Sequence, residues 1–297
     1  MNASAEAHVL DIRRDGFAVL RGFLDAGRTA RLRDVADGLR TRYLRADPVT
    51  GRPGFLVSPW HVRRIDNPRF YEQAPGWWLS EVLELVTDPD LLELVRTLTE
   101  QEAVAVSPSL FLDPALPYSV DALTQRFAAP DGAGPWHRDL VEGADDEDER
   151  CQLLGTARTP IHGYLLELAL VPCDAFEYVP GSHRRWDTAV ELSVRRRADT
   201  PAERTRPLPG GQRIGLAPGD LAVADSRGIH RGWYAHGVPR RTISLWYYSE
   251  FDERLPCLLT PAHLEGLRPA TKAFLERWLE LGRTAGEGAP RPRATPT

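Results

Sequence analysis

Between residues 103 and 248 the chain breaks into short strand-like runs, each closed by proline, glycine or a polar cluster. The runs are Ala103–Val106, Leu110–Leu112, Gln125–Ala128, a segment around His137, His162–Val171, Phe176–Val179, Asp220–Ala224 and Arg240–Tyr248. His162–Val171 is apolar almost throughout, as a strand covered on both faces is. Helical patterns come first, strands follow and one helix closes the chain. That order predicts an α+β domain with a packed double sheet, for which a jelly roll is the natural form.

The helical parts carry recognisable edges. Residues 9–24 read as a short helix that Gly16 ends, with Phe17–Leu20 as a strand after it. Asp25 is placed to cap a helix reaching about Leu39, with Leu32, Val35, Ala36 and Leu39 on one face. Glu81–Leu98 has helical spacing, and Asp88-Pro89-Asp90 divides it in two. Residues 47–80, rich in proline, glycine and tryptophan, read as an ordered loop region. Residues 141–160 and 192–213 also read as loops, the first with a solvated acidic tract at Asp145–Glu149. A closing amphipathic helix is expected from about Pro261 to Leu281. Residues 1–281 then form one domain, and 282–297 a disordered tail.

Composition works mainly by exclusion. A formal net charge of −5, mixed along the chain, gives no reason to expect a nucleic-acid partner. Lys272 is the sole lysine, so chemistries that need a Schiff-base amine or a phosphate-loop lysine lose their usual residue. Cys151, Cys173 and Cys257 are odd in number and widely spaced, which fits free thiols in a reducing cytoplasm better than disulfides. The N-terminus shows no secretory pattern, and no apolar stretch approaches the roughly eighteen residues of a membrane span. The expected partner is a small-molecule substrate; the sequence is silent on oligomeric state.

The chemistry-bearing pattern is Gly134-Pro-Trp-His-Arg-Asp-Leu140, followed about ninety residues later by His230 in Asp225-Ser-Arg-Gly-Ile-His-Arg-Gly232. On a strand, residues two apart share a face, so His137 and Asp139 project together while Arg138 points away. Two imidazoles and a carboxylate suit one triangular face of a ferrous ion and leave the opposite positions open. His137-Arg-Asp-Leu140 also begins a protein-kinase catalytic loop. However, the asparagine that pattern needs is missing from Val141–Asp145, and the only lysine lies far downstream.

With these motifs in place the chain resembles the phytanoyl-CoA dioxygenase family of iron(II)/2-oxoglutarate oxygenases over most of residues 9–250. The likeness is carried by Asp15-Gly-Phe-Ala-Val-Leu-Arg-Gly-Phe-Leu24, Trp136–Asp139, Tyr178-Val-Pro-Gly-Ser-His183, Pro218–Leu221 leading to His230, and Arg240–Ser244. It implies a double-stranded β-helix (jelly-roll, cupin-like) core with flanking helices. It also implies Fe(II), 2-oxoglutarate and O2 as cofactor and co-substrates, and hydroxylation or a related oxidation with release of succinate and CO2. His137, Asp139 and His230 would be the iron ligands. Asp139 matters for the outcome, because halogenating relatives carry a small residue there. Arg240 or Arg241, ten or eleven positions after His230, would hold the distal carboxylate. Arg240 is the preferred choice, with Thr242 and Ser244 on its face. A guanidinium suits this role because its fork matches a carboxylate.

The chain departs from the family in two places. Arg231–Pro239 replaces the usual Asn and Ser, and Glu167 falls near a position often held by tryptophan. Pro180-Gly-Ser-His183 reads as a structural turn, with His183 as a substrate contact the lesser reading. The pocket mouth is expected from loops at 52–64, 141–160, 184–213 and 231–239. These bring Trp60, Trp186, Arg184, Arg185, Arg231 and Trp233, a set suited to a ring-bearing or anionic metabolite such as a natural-product intermediate. No adenine or phosphate site is evident for a CoA thioester. The competing readings are a jelly-roll metal enzyme that does not use 2-oxoglutarate and a silent binding module on the same scaffold.

Overall fold

Strands whose two faces differ in character set the architecture. The computed structural model describes residues 3–43, 61–112, 133–139, 146–155, 163–233, 238–250 and 255–286. Six antiparallel strands form the larger sheet, in the order β1 (Phe17–Leu20), β7 (Leu221–Asp225), β4 (Tyr164–Ala169), β9 (Arg241–Tyr248), β3 (Ala105–Leu112) and β2 (His61–Arg63). The smaller sheet runs β6 (Gln212–Leu216), β5 (Cys173–Tyr178) and β8 (His230–Gly232). This is the expected double-sheet jelly roll with flanking helices.

One face of the larger sheet is aliphatic. Leu166, Leu168, Val223, Ile243 and Leu245 join a single core with residues from α1 (Ala3–Asp15), α2 (Ala26–Tyr43), α3 (Trp77–Val86), α4 (Pro89–Thr99) and α8 (Pro269–Gly286). Burying each such side chain contributes about 1.5–3 kcal/mol, so this face anchors the sheet. The opposite face looks into the sandwich and is built of smaller groups. There Ala169, Ala222 and Ala224 meet Phe176, Tyr178, Ile214 and Leu216 of the smaller sheet. One cross-strand row on this inner face reads Ser109, Ser244, Glu167, Ala222 across β3, β9, β4 and β7.

Several local expectations agree with the structure. Gly16 ends α1 with a φ of 90°, and β1 follows. The Arg28 N–H donates to Asp25 at 2.8 Å at the start of α2. Asp88 caps α4 with Pro89 in its first turn.

Others are corrected. The acidic tract from Asp146 opens a helix, α5 (Asp146–Gly155), where anionic side chains favour the positive end of the helix dipole. Glu149 is buried there against Arg195 at 2.9 Å. Residues 192–213 hold most of α6 (Ala189–Arg196), then α7 (Pro201–Arg204) and the start of β6. β3 runs unbroken through Pro108, whose carbonyl accepts from the Ile65 N–H at 3.0 Å. A strand residue's N–H and C=O point the same way, so the missing donor falls past the end of β2 and spares the β9 ladder. The loop region before residue 80 contains β2, a 3-10 turn at Pro68–Tyr71 and the first turn of α3. α8 starts at Pro269, after a separate 3-10 turn at Pro261–Leu264, and continues to Gly286 rather than ending at Leu281. The expected strand at Gln125–Ala128, Trp60 and residues 287–297 lie outside the described residues.

Candidate metal centre

His230 opens β8, and residues 133–139 run antiparallel beside it. The His137 N–H donates to the His230 carbonyl at 2.9 Å, and the His230 N–H returns the bond at 3.0 Å. Gly134 donates to Gly232 and Asp139 to Ser226, both at 2.9 Å. His137 therefore sits on an isolated bridge, not on a full ladder strand as its sequence suggested. The alternation still holds. His137 Nε2 lies 3.7 Å from Asp139 Oδ1, and His230 Nε2 lies 3.5 Å from Asp139 Oδ2. One donor atom from each of the three residues falls within 4.8 Å of the others. Donors about 2.1 Å from a shared metal and at right angles are about 3 Å apart, so a small inward shift completes a facial site.

Backbone carbonyls select the ring atoms that face inward. His137 Nδ1 meets the Pro135 carbonyl and His230 Nδ1 the Gly228 carbonyl, each at 2.9 Å. Each Nδ1 donates there, which leaves Nε2 as a lone-pair donor pointing at Asp139. Desolvation, then the neighbouring His230, lowers the His137 imidazole to about 4. The side chain is 46% exposed, which weakens the desolvation but not the direction. For His230 desolvation also lowers the pKa, but the Asp139 charge and hydrogen bonding prevail and raise it. Desolvation would raise Asp139, yet the two imidazoles hold its pKa below the usual carboxylate value. A cation bound between them would be balanced by the Asp139 carboxylate, which faces both rings.

Residues not singled out from sequence brace these ligands. Ser182 joins both ligand segments. Its Oγ accepts from the Ile229 N–H at 2.7 Å, and its carbonyl accepts from Arg138 Nη1 at 2.8 Å. Arg138 does turn away from the metal side, into a closed ion network. It meets Asp187 at 2.7 Å; Asp187 meets Arg195 at 2.7 Å; and Arg195 reaches Glu149 on α5. Tyr178 pairs with His230 across the β5–β8 ladder, and its ring lies 6.4 Å from the imidazole at an interplanar angle of 16°. Its hydroxyl donates to the Asp225 carbonyl at 2.8 Å. A Cβ on Gly228 would stand 1.7 Å from that oxygen, and one on Gly16 2.4 Å, so both glycines clear space for this ring. The Tyr178–His183 motif was the visible signal for this brace. His183 supports the same turn, with Nε2 3.3 Å from the Arg13 carbonyl.

The two candidate arginines separate cleanly. Arg240 is buried beside Thr242, with Nε 3.4 Å from the Thr242 hydroxyl, Nη1 2.6 Å from the Trp233 carbonyl, and its guanidinium over the Phe111 ring. Thr242 and Ser244 are fully buried on the inner face. Arg241 goes to the other side and donates to Asp37 of α2 at 2.7 Å. Alternation along β9 sends adjacent residues to opposite faces.

Three of the expected mouth arginines have structural work. Arg231 is 2% exposed, pairs with Glu177 and lies over Trp136 and Trp233. Arg185 pairs with Glu191 at 2.7 Å, and Arg184 donates to the Arg14 carbonyl at 2.8 Å. Trp233 carries Arg213 on its ring at 3.6 Å, and Trp186 is half-buried.

No family model matches the chain, and a search of the curated proteins finds no match. Solved structures share its fold. AviO1 from Streptomyces viridochromogenes Tue57 is 26% identical, with 86% of this chain and 100% of that chain covered at a TM-score of 0.53. HygX from Streptomyces hygroscopicus, with nickel and 2-oxoglutarate bound, is 17% identical over 84% of this chain and 88% of its own, at 0.55. EctD from S. alaskensis, with 2-oxoglutarate and 5-hydroxyectoine, is 18% identical over 91% and 82%, at 0.53. Among the described residues no helix is long and apolar enough to cross a membrane.

Proposed function

We propose that this protein is an iron(II)- and 2-oxoglutarate-dependent oxygenase of the phytanoyl-CoA dioxygenase type that oxidises an unactivated C–H bond of a small metabolite. The observation that carries this reading is the convergence of His137, Asp139 and His230 with both Nδ1 atoms tied to carbonyls and both Nε2 atoms free to bind a metal. Nitrogen and carboxylate donors on one side suit ferrous iron, with positions left for a chelating keto acid and oxygen. The 2-oxoglutarate held by HygX and EctD on the same fold supports the choice of co-substrate.

When bound, iron with 2-oxoglutarate and O2 supplies the oxidising chemistry, with succinate and CO2 as co-products. The chain's own residues do the rest. His137 and His230 present neutral nitrogens, and Asp139 supplies a compensating charge. Arg240 offers its guanidinium to the distal carboxylate, with Thr242 beside it. The inner-face alanines and serines leave room for the keto acid, while the braces on Ser182 and Tyr178 hold the ligand segments still. Nearly half of the His137 and Asp139 side chains is open, which gives a small molecule access to the metal side.

The test is succinate release from protein loaded with Fe(II) without oxygen, then given 2-oxoglutarate, O2 and a panel of metabolites. Substrate-stimulated succinate is expected. His137→Ala and Asp139→Ala should lose iron binding and turnover while keeping the fold by circular dichroism. Wild-type turnover in either variant would contradict the site.

A further inference from the structure

Among the buried carboxyl groups of the described residues, one faces Arg240 across the inner side of the larger sheet. Glu167, at the middle of β4, is 6% exposed. Its Oε2 lies 4.0 Å from Arg240 Nη2, outside hydrogen-bond reach, and has no hydrogen-bond partner. Ser244 Oγ stands beside this carboxyl without the geometry of a hydrogen bond, and it too is buried and unpartnered. Ser109 Oγ, the next group in the same cross-strand row, is likewise buried and unpartnered. Buried polar atoms are rarely left without partners, and three in one row, the carboxyl of which lies 4.0 Å from a guanidinium, call for a polar group at that end of the row. Ala222, next in the row, and Ala169, in the adjacent layer, keep the space around Glu167 small-sided.

We infer that Glu167, as the neutral acid, donates a hydrogen bond to the far carboxylate of the co-substrate held by Arg240, and so selects a dicarboxylic 2-oxo acid. The inference rests on the proposed 2-oxoglutarate dependence. A second carboxylate brought beside an ionised Glu167 would set two negative charges against one guanidinium in a dry interior. A proton held between the two carboxyls removes that repulsion, as in any close carboxyl pair. Burial already favours the neutral form of Glu167 over the opposing pull of Arg240. The other titratable groups acting on Glu167 are His230 and Cys173, and Cys173 lies 3.8 Å from the Thr242 hydroxyl. The pocket thus reads two features of its ligand, a charge at Arg240 and an acceptor at Glu167.

The test is calorimetric titration of nickel-loaded protein without turnover. It uses 2-oxoglutarate and 2-oxobutyrate, which lacks the far carboxylate. Glu167→Gln keeps a donor and should bind 2-oxoglutarate within about threefold of wild type. Glu167→Leu loses the donor and should bind it roughly ten to a hundred times more weakly, the range for a hydrogen bond to a charged group. 2-Oxobutyrate should bind all three proteins alike, which a general packing defect would not produce. Undiminished 2-oxoglutarate binding in Glu167→Leu would overturn this inference alone. Tighter binding in either variant would do the same, showing Glu167 to be an internal occupant of the Arg240 site. Absence of 2-oxoglutarate binding by wild type would overturn the proposed dependence together with the inference.

Discussion

Replacing Arg138 with alanine removes the side chain that ties the metal segment to the Ser182 turn and to Asp187. Arg138 and Asp187 are both fully buried at the side chain. The guanidinium makes two bonds to Asp187 and donates to the carbonyls of Ser182, Arg185 and Arg227. Breaking a buried ion pair by deleting one partner costs about 3–5 kcal/mol. Asp187 keeps Arg195 at 2.7 Å, which places the expected loss near the lower end. At about 2–4 °C per kcal/mol for a domain of this size, the thermal midpoint should fall by roughly 10 °C. Arg138 also sits between two ligands, so nickel affinity should drop about tenfold, the scale seen when ligand supports are removed. Arg138→Lys keeps the charge without the fork and should fall between the two. Thermal circular dichroism and nickel titration measure both quantities. A midpoint unchanged within about 2 °C together with unchanged nickel affinity would refute the claim that this network positions the metal segment.

Four further outcomes are expected. Arg240→Ala should lose 2-oxoglutarate binding by at least about a hundredfold, since it leaves the carboxylate without its charge partner. Arg241→Ala should bind 2-oxoglutarate normally, because its guanidinium pairs with Asp37 on the other side of the sheet; calorimetry separates the two. Gly228→Ala drives a methyl group into the Tyr178 hydroxyl and should destabilise by about 3 kcal/mol or more, visible as a lower urea midpoint and weakened metal binding. For Glu191, burial pushes the carboxyl up, but Arg185 and the Thr188 N–H prevail and lower it from 4.5 to about 2. The stabilisation this provides is full above pH 4.5 and fades as pH falls towards 2. Wild type should therefore exceed Glu191→Gln by up to about 3 kcal/mol at pH 7, a gap that narrows on acidification in urea titrations.

Elements with strong local signals were readable in advance. Gly16, Asp25 and Asp88 act on their own helix ends, so their effect needs no distant partner. The acidic tract at Asp146 misled because its polarity matches both a solvated loop and a helix N-terminus. Arg195 and Arg196, about fifty residues onward, are what pair with Glu149 and Asp146 there. Arg231, 2% exposed, shows the same ambiguity. A charged residue in a polar stretch reads as surface until its carboxylate partner, here Glu177, is seen.

The order of elements, the His137-x-Asp139 spacing and the distant His230 are properties of the chain alone, because periodicity and ligand chemistry are local. Tertiary structure alone decided which of two adjacent arginines faces inward. It alone showed that Ser182 and Arg138 brace the ligands, and that Glu167 Oε2 stands 4.0 Å from Arg240 without a hydrogen bond. Those facts depend on sheet register and side-chain direction, which arise only when strands far apart in sequence pair.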